Sequence, residues 1–415
     1  MKQLVVTSLL IGALAFIARA DEVTDWNEIL FKAALVGQTS PLVVPRTAAI
    51  TEVSVFDAVN GIDRRFTPIH VQERGPHAAC VHAAAIQAAY ASLVRLYPAQ
   101  KSFFDQKRAE SFAALHGRCN HDLHSVWAGI AWGQKVADAI WSWRSTDGLN
   151  QTLPPFEGRT GIGEWRPTPP AFVPGLLQQM ASMKTWVIES HDQFRPVTGP
   201  HALSSAEYAR DFNETKEKGS LSSLTRSADE TLAAQFWGNT SSPGYFWNHL
   251  ALSLLGPNGG SLLENARLLA SVNVAMADAI IASWDAKYYF VSWRPITAIA
   301  LADQDGNPAT QADVSWQPLL ITPPFPEYLS AHSSVSSAAV TVLANHFGNH
   351  IPFTVSSDVS SVTRQFTSFA AALDEIRSAR VNAGIHFRTA CDDAQVLGTS
   401  VAQYVLHHSV RHLQD

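Results

Sequence analysis

The run LLENARLLASVNVAMADAIIASW, Leu262 to Trp284, is the most regular helical stretch of the chain and sets the reading of everything around it. Outward from it, long Ala/Leu-rich stretches alternate with connections rich in Pro and Gly, which predicts a mainly helical protein. Ala78 to Tyr97 carries Ala, Leu, Val and Ile at helical spacing and stops before Pro98, and Ser125 to Trp143 is similar, ending at Asp147-Gly148. Ser227, with Glu230 three residues on, reads as a capping box that opens another helix. Val359 to Ala383 and Asp393 to Val410 complete the helical set, and strand alternation of comparable length is not seen. The expected fold is therefore all-α. Gln151 to Pro174 is a long ordered connection, and the composition break there divides an N-terminal helical region (21–160) from a C-terminal one (161–415). Two helical bundles packed on a shared interface would give the same pattern.

With 415 residues, 46% of them apolar and 16% charged, the chain can bury a large core. Its net charge of −6 leaves no general basic field, which excludes nucleic acid as a partner. Met1-Lys2, the apolar run Leu4 to Ile17 and Ala18-Arg19-Ala20 read as a secretory signal cleaved before Asp21. A secreted or periplasmic location follows, with no membrane span expected in the mature protein. Cys80, Cys119 and Cys391 allow at most one disulfide; Cys80–Cys119 is one pairing, and Cys391 reads as a buried inert thiol.

Immediately beyond the long helix, three stretches concentrate cations, imidazoles and a hydroxyl. The first runs from Lys287 to Trp293-Arg294-Pro295; the second is Phe325-Pro326-Glu327-Tyr328-Leu329-Ser330-Ala331-His332-Ser333; the third is Ser378-Ala379-Arg380 with Gly384-Ile385-His386-Phe387-Arg388. Lys287 and Arg294 are seven apart, so on a continuous helix they share a face, although Pro295 disfavours helix at Arg294. A helix is expected to begin near Ser333, where the Ser330 hydroxyl, the Ala331 N–H and the helix N-terminus would favour an anion. His332 stands there as acid or base. Arg380 and His386 are out of phase on one helix, and Gly384 provides the bend that re-aims His386. Asp392 or Asp393 could hold the far nitrogen of a histidine or cap a helix. His346 and His350 lack a third zinc ligand and read as surface or capping residues. At 4 Å and an effective dielectric near 20, each cation–anion contact is worth roughly 4 kcal/mol before desolvation, so three cations would hold a dianion tightly.

The order Lys-x6-Arg-Pro, Ser-x-His, Arg-x5-His resembles that of the vanadium-dependent haloperoxidase and type 2 phosphatidic acid phosphatase superfamily, and the likeness extends through Trp165-Arg166-Pro167-Thr168-Pro169-Pro170 and Gln235-Phe236-Trp237. The resemblance implies a fold of two four-helix bundles and a vanadate cofactor, whose site phosphate can also occupy. It implies that His386 is the covalent vanadate ligand, that Lys287, Arg294, Arg380, Ser330 and the Ala331 N–H hold the oxyanion, and that His332 is the acid–base residue. Trp284 and Phe325 fall where chloroperoxidase-like members keep aromatics beside the oxyanion. Hydrogen peroxide and halide would then be the substrates. In the phosphatase version of the site, His386 would accept phosphoryl from a phosphate ester; a catalytically silent oxyanion-binding protein is a third reading. The sequence departs from the family pattern at Leu329-Ser330-Ala331-His332, where Pro-Ser-Gly-His is usual, and at Ala390, where an acid is usual. Asn239 stands where an acid would brace the last arginine.

Overall fold

The computed structural model describes residues 21–413 apart from 116, 120, 121, 240, 241, 257, 258, 358, 359 and 361; the signal-like run at 1–20 lies outside the described residues. Helix α9 (Leu262–Phe290), capped by Ser261 accepting from the Glu264 N–H, is buried along almost its whole length. Its sequence accounts for this: Ala, Ser and Leu cover every face, so neighbours can close on it from all sides. By length and composition it could cross a membrane, but here it is the core helix, enclosed by the other helices.

On one side of α9 lie α1 (Glu22–Val36), α2 (Val44–Asp63), α3 (Val81–Leu96), α4 (Lys101–Ala113) and α5 (Leu123–Arg144). Here α2, α3 and α5 pack on one another and α2 packs along α9. A Cys80–Cys119 disulfide ties the start of α3 to the segment before α5. The connection through Gln151–Pro174 leads to α6 (Ala206–Lys218), α7 (Ala228–Gly238) and α8 (Pro243–Leu255). The Ser227–Glu230 capping box opens α7 as the sequence predicts. Beyond α9 come the short α10 (Pro295–Ala300), α11 (Ala331–Phe347), α12 (Phe369–Asn382) and α13 (Arg388–His408). α11 is clasped between α9 and α13. Gly398 of α13 makes that clasp close, since a Cβ there would overlap the Ser334 carbonyl, and Ser283 donates to Ser334 at 2.6 Å across α9–α11. One continuous apolar core runs from Val23 to Val410, and the all-α expectation holds.

The segment read as helix from Val359 departs from that reading. Residue 359 lies outside the described residues, and β1 (Phe353–Ser356) pairs antiparallel with β2 (Thr363–Phe366) before α12 begins at Phe369. Phe353 stacks against both Phe366 and Phe369, so aromatic burial on one face of a hairpin prevails over local helical spacing.

Two buried carboxylates fix the long connections. Asp57 of α2 accepts from the N–H groups of Ile69, His70 and Val71, and Asp278 of α9 accepts from those of Trp186, Val187 and Ile188. Both carboxyls are pushed up to about 6 by burial, which the three N–H donors only partly offset. Where α1, α2, α8 and α9 meet, Glu52 accepts from Asn27 at 2.8 Å, and Asn27 continues to Asn248 and Asn273. Burial pushes Glu52 up to about 8. Its folded pKa exceeds its unfolded value, so its contribution to stability is complete below about pH 4.5 and is lost as pH rises through 8. Glu52→Gln should therefore flatten the decline in unfolding free energy between pH 5 and pH 8 by more than about 1 kcal/mol, read from urea titrations at the two pH values. An unchanged decline would mean that Glu52 is not the group responsible.

Candidate active site

Lys287 lies in the last turn of α9 and Arg294 is the N-cap of α10, but helical periodicity does not bring them together. The helix ends at Phe290, Val291 turns left-handed (φ 51°), and the reversed chain delivers Arg294 to the site Lys287 faces. The break agrees with Pro295 disfavouring helix at Arg294, so the face shared on a continuous helix is not what relates the two residues. A buried Lys side chain must spend its donors locally, and Lys287 Nζ donates to the carbonyls of Pro326, Glu327 and Leu329. It thereby pins the loop that carries Ser330. Arg294 donates through Nε to Phe325 O (2.9 Å) and through Nη1 to Ile385 O (2.7 Å), and Nη1 also lies 3.3 Å from His386 Nε2. Arg380, in the last turn of α12, reaches Trp237 O at 3.4 Å.

All three cations are almost wholly buried. Burial holds Lys287 well below the usual lysine range, with Arg294 and Arg380 adding repulsion. Burial also lowers Arg294 to about 9, against the pull of Glu327, and Arg380 to about 10. Arg294 Nη2 and Arg380 Nε are buried and make no hydrogen bond within the protein. Buried donors of this kind cost roughly 1–3 kcal/mol each unless a partner arrives, and here the natural partner is an anion.

Ser330 is fully buried at the N-cap of α11; its hydroxyl caps no backbone N–H and accepts from Ser333 Oγ at 3.1 Å, which leaves its own proton free to donate. Ala331 is the first residue of α11, two positions earlier than expected, and its N–H has no intrahelical acceptor. His332 follows, half-buried, its pKa depressed well below the usual value by burial and then by Arg380 and Lys287. Gly384 adopts φ +76° at the end of α12 and directs His386 inward, as the sequence predicts. Trp284 and Phe325 pack at 5.0 Å between centroids, with Lys287 Nζ and the Arg294 guanidinium each 5.0 Å from the Phe325 ring centre.

The residue that sequence reasoning did not assign is Glu327. Its Oε1 accepts from His386 Nδ1 at 2.8 Å and from the Phe387 N–H at 3.0 Å. With the proton on Nδ1, the Nε2 lone pair of His386 points at Arg294 and the cationic chamber. Burial pushes Glu327 up to about 7 despite the nearby Arg294 and Lys287, while burial, Arg294, Lys287 and Arg380 hold His386 well below the ordinary imidazole range. The available signal was a lone acid inside the apolar, Pro-rich run that precedes Ser330.

Asp392 and Asp393 take neither role offered to them. Asp392 pairs with Arg377 at 2.7 Å and Asp393 accepts from the Tyr328 hydroxyl at 2.6 Å, because α13 begins at Arg388 and turns both away from His386. Asn239 is exposed at the end of α7, and Arg380 meets the Trp237 carbonyl two residues earlier instead. Arg388 pairs with Glu214 outside the chamber, and the Cys391 thiol is buried and pushed up to about 12. Among the described residues no cluster of three His, Cys, Asp or Glu could hold a metal cation, so His346 and His350 are not part of one. The chamber is a site of donors, suited to an oxyanion rather than a bare cation.

Residues 267–415 match the family model for the second helical-bundle domain of VCPO. That part of the chain is similar to the second helical bundle of the vanadium haloperoxidases. The vanadium chloroperoxidase of Curvularia inaequalis is 27% identical over 155 residues, which is 32% of this chain and only a quarter of that protein. A crystal structure described as the first bacterial vanadium-dependent iodoperoxidase superposes with a TM-score of 0.80 at 27% identity, covering 95% of this chain and 97% of that one. A holo-type bacterial vanadium-dependent chloroperoxidase shares the fold at a TM-score of 0.68 and 18% identity, over 89% of this chain and 93% of that one.

The Glu327–His386 hydrogen bond can be tested without assaying turnover. Glu327→Ala should weaken binding of a tetrahedral oxyanion, probed with orthovanadate by equilibrium dialysis, by roughly 10–100-fold, the range for losing a hydrogen-bond partner that orients a ligating histidine. Glu327→Gln, which keeps an acceptor, should lose less. Equal affinity in all three proteins would remove Glu327 from the site.

Proposed function

We propose that the protein is a vanadate-dependent haloperoxidase that uses hydrogen peroxide to oxidise halide to hypohalous acid. The observation that carries this reading is the junction of Arg294 Nη1 with His386 Nε2 in a buried chamber, where Arg294 Nη2 and Arg380 Nε have no protein partner. That donor set fits a tetrahedral oxyanion carrying two or three negative oxygens. Arg294, Arg380, the Ser330 hydroxyl and the Ala331 N–H would hold those oxygens, and His386 Nε2 would be the ligand to vanadium. Lys287, its donors committed to the loop, would act chiefly through its charge. When bound, vanadate supplies a Lewis-acidic centre that activates hydrogen peroxide toward attack by halide.

Glu327 keeps the His386 proton on Nδ1 and the lone pair on Nε2. His332, neutral in the protein alone, accepts a proton at a ring nitrogen from incoming peroxide and returns it as water departs. An anion in the chamber reduces the repulsion from Arg380 and Lys287, so the pKa of His332 rises on loading. The net change, H2O2 + X− + H+ → HOX + H2O, consumes one proton. Trp284 and Phe325 close one wall with aromatic surface and exclude water there. The iodoperoxidase likeness over nearly the whole chain supports a redox role over phosphate ester hydrolysis. The Cys80–Cys119 disulfide supports a place in an oxidising compartment, outside the cytosol.

The test is to load purified protein with orthovanadate and follow triiodide formation and monochlorodimedone bromination. Oxidation of at least one halide is expected, and His386→Ala should lower it by at least about 100-fold. Release of nitrophenol from p-nitrophenyl phosphate, inhibited by vanadate and without halide oxidation, would instead establish the phosphatase.

A further inference from the structure

A second cavity, of about 270 Å³, is lined by Glu327 from one side but by none of the three buried cations and by neither His332 nor His386. Its walls are aromatic: Tyr208, Phe290, Trp293, Tyr328 and Phe387. These rings brace one another, Tyr208 against Phe387 edge-on at 5.9 Å and Phe290 against Tyr328 edge-on at 5.2 Å, so the wall is set before any ligand arrives. Three carboxylates and the imidazole of His201 line the cavity, and no lysine or arginine does. One of them, Glu164, is already paired with Arg159 and with the Gly161 N–H. Asp211 is held only through Oδ2, by the Thr389 N–H, and lies within electrostatic reach of Glu327.

One nearly buried polar side chain points to a guest. Glu327 is 1% exposed, and both hydrogen bonds to its carboxylate go to Oε1, leaving Oε2 as the atom available to the cavity. Tyr208 is 5% exposed and contributes its ring to the wall, its hydroxyl being enclosed within the protein beside Trp293. Aromatic faces carry negative quadrupoles, and with two carboxylates beside them they favour a desolvated organic cation while repelling an anion. Taking about 30 Å³ per water, the space suits a ligand of roughly nine non-hydrogen atoms.

We propose that this cavity binds a small organic ammonium ion of the arylalkylamine class. Its NH3+ donates to Asp211 and to Glu327 Oε2, and its ring lies among Phe290, Trp293 and Phe387. Because Glu327 also holds His386, the bound amine sits one residue away from the oxyanion chamber. The proposal does not depend on which reaction that chamber carries out.

Isothermal titration of the full chain, without vanadate or halide, tests it with 2-phenylethylamine against its uncharged counterpart 2-phenylethanol. The amine should bind at least about tenfold more tightly than the alcohol, the scale of one partly desolvated cation contact. Asp211→Asn should weaken the amine by about fivefold or more, and Ala202→Trp, at an exposed position on the cavity rim, should abolish binding while leaving the melting temperature unchanged. Alcohol bound as tightly as amine, no heat from amine with natively folded protein, or an amine isotherm unaltered by Ala202→Trp would each overturn it.

Discussion

Three buried cations facing one another with a single carboxylate nearby are the constraint on which this structure turns. Lys287, Arg294 and Arg380 repel each other across a medium that screens poorly, and Glu327 offsets only part of that repulsion. The fold compensates with dipoles. Carbonyls of Phe325, Pro326, Glu327, Leu329 and Ile385 turn toward the cations from irregular segments, and that of Trp237 does so from the C-terminal end of α7. The Pro-rich entry to α11 and the Gly384 bend are therefore parts of the electrostatics as well as of the chain path. What remains uncompensated is a specific deficit of negative charge, and that deficit is the binding energy an oxyanion would use.

Rigidity follows from the same constraint. A chamber that concentrates positive charge must resist splaying apart, and α9 and α11, which carry much of it, are deeply packed. α9 brings Lys287, α11 brings Ser330 to His332, and these two helices touch α13 with small residues at Ser283, Ser334 and Gly398. The Asp278 carboxylate on α9 holds the 186–188 connection in place, and Asp57 does the same for 69–71 on α2. These anchors are costly to bury, and the protein tolerates that cost where a loop would otherwise be free to move away from the core helix.

Most of the helices and the membership of the chamber were legible in the sequence because both depend on residue type and order. Cations set among aromatics, a Ser-x-His at a helix start and a glycine ahead of a histidine each mark a local requirement that the fold later meets. Backbone direction was not legible. Nothing in Lys287 itself says that its donors end on three loop carbonyls, and the left-handed turn at Val291 replaces the helical phase that would otherwise relate it to Arg294. The hairpin at 353–366 was missed for a related reason: its stability comes from Phe353 meeting Phe366 and Phe369, a contact between residues that no helical window joins.

Glu327 shows where such reading stops. Asp392 and Asp393 stand closer to His386 in sequence and are equally acidic, yet α13 turns them toward Arg377 and Tyr328. An acid far away in sequence is instead brought within 2.8 Å by the loop that Lys287 pins. The same lysine that raises the positive charge of the chamber thus places the carboxylate that moderates it and orients the imidazole. Removing Lys287 would loosen the Glu327–His386 pair as well as subtract a charge, so the two effects cannot be separated by that substitution alone. Only a change at Glu327 that spares the loop carbonyls isolates the orientation of His386 from the charge around it.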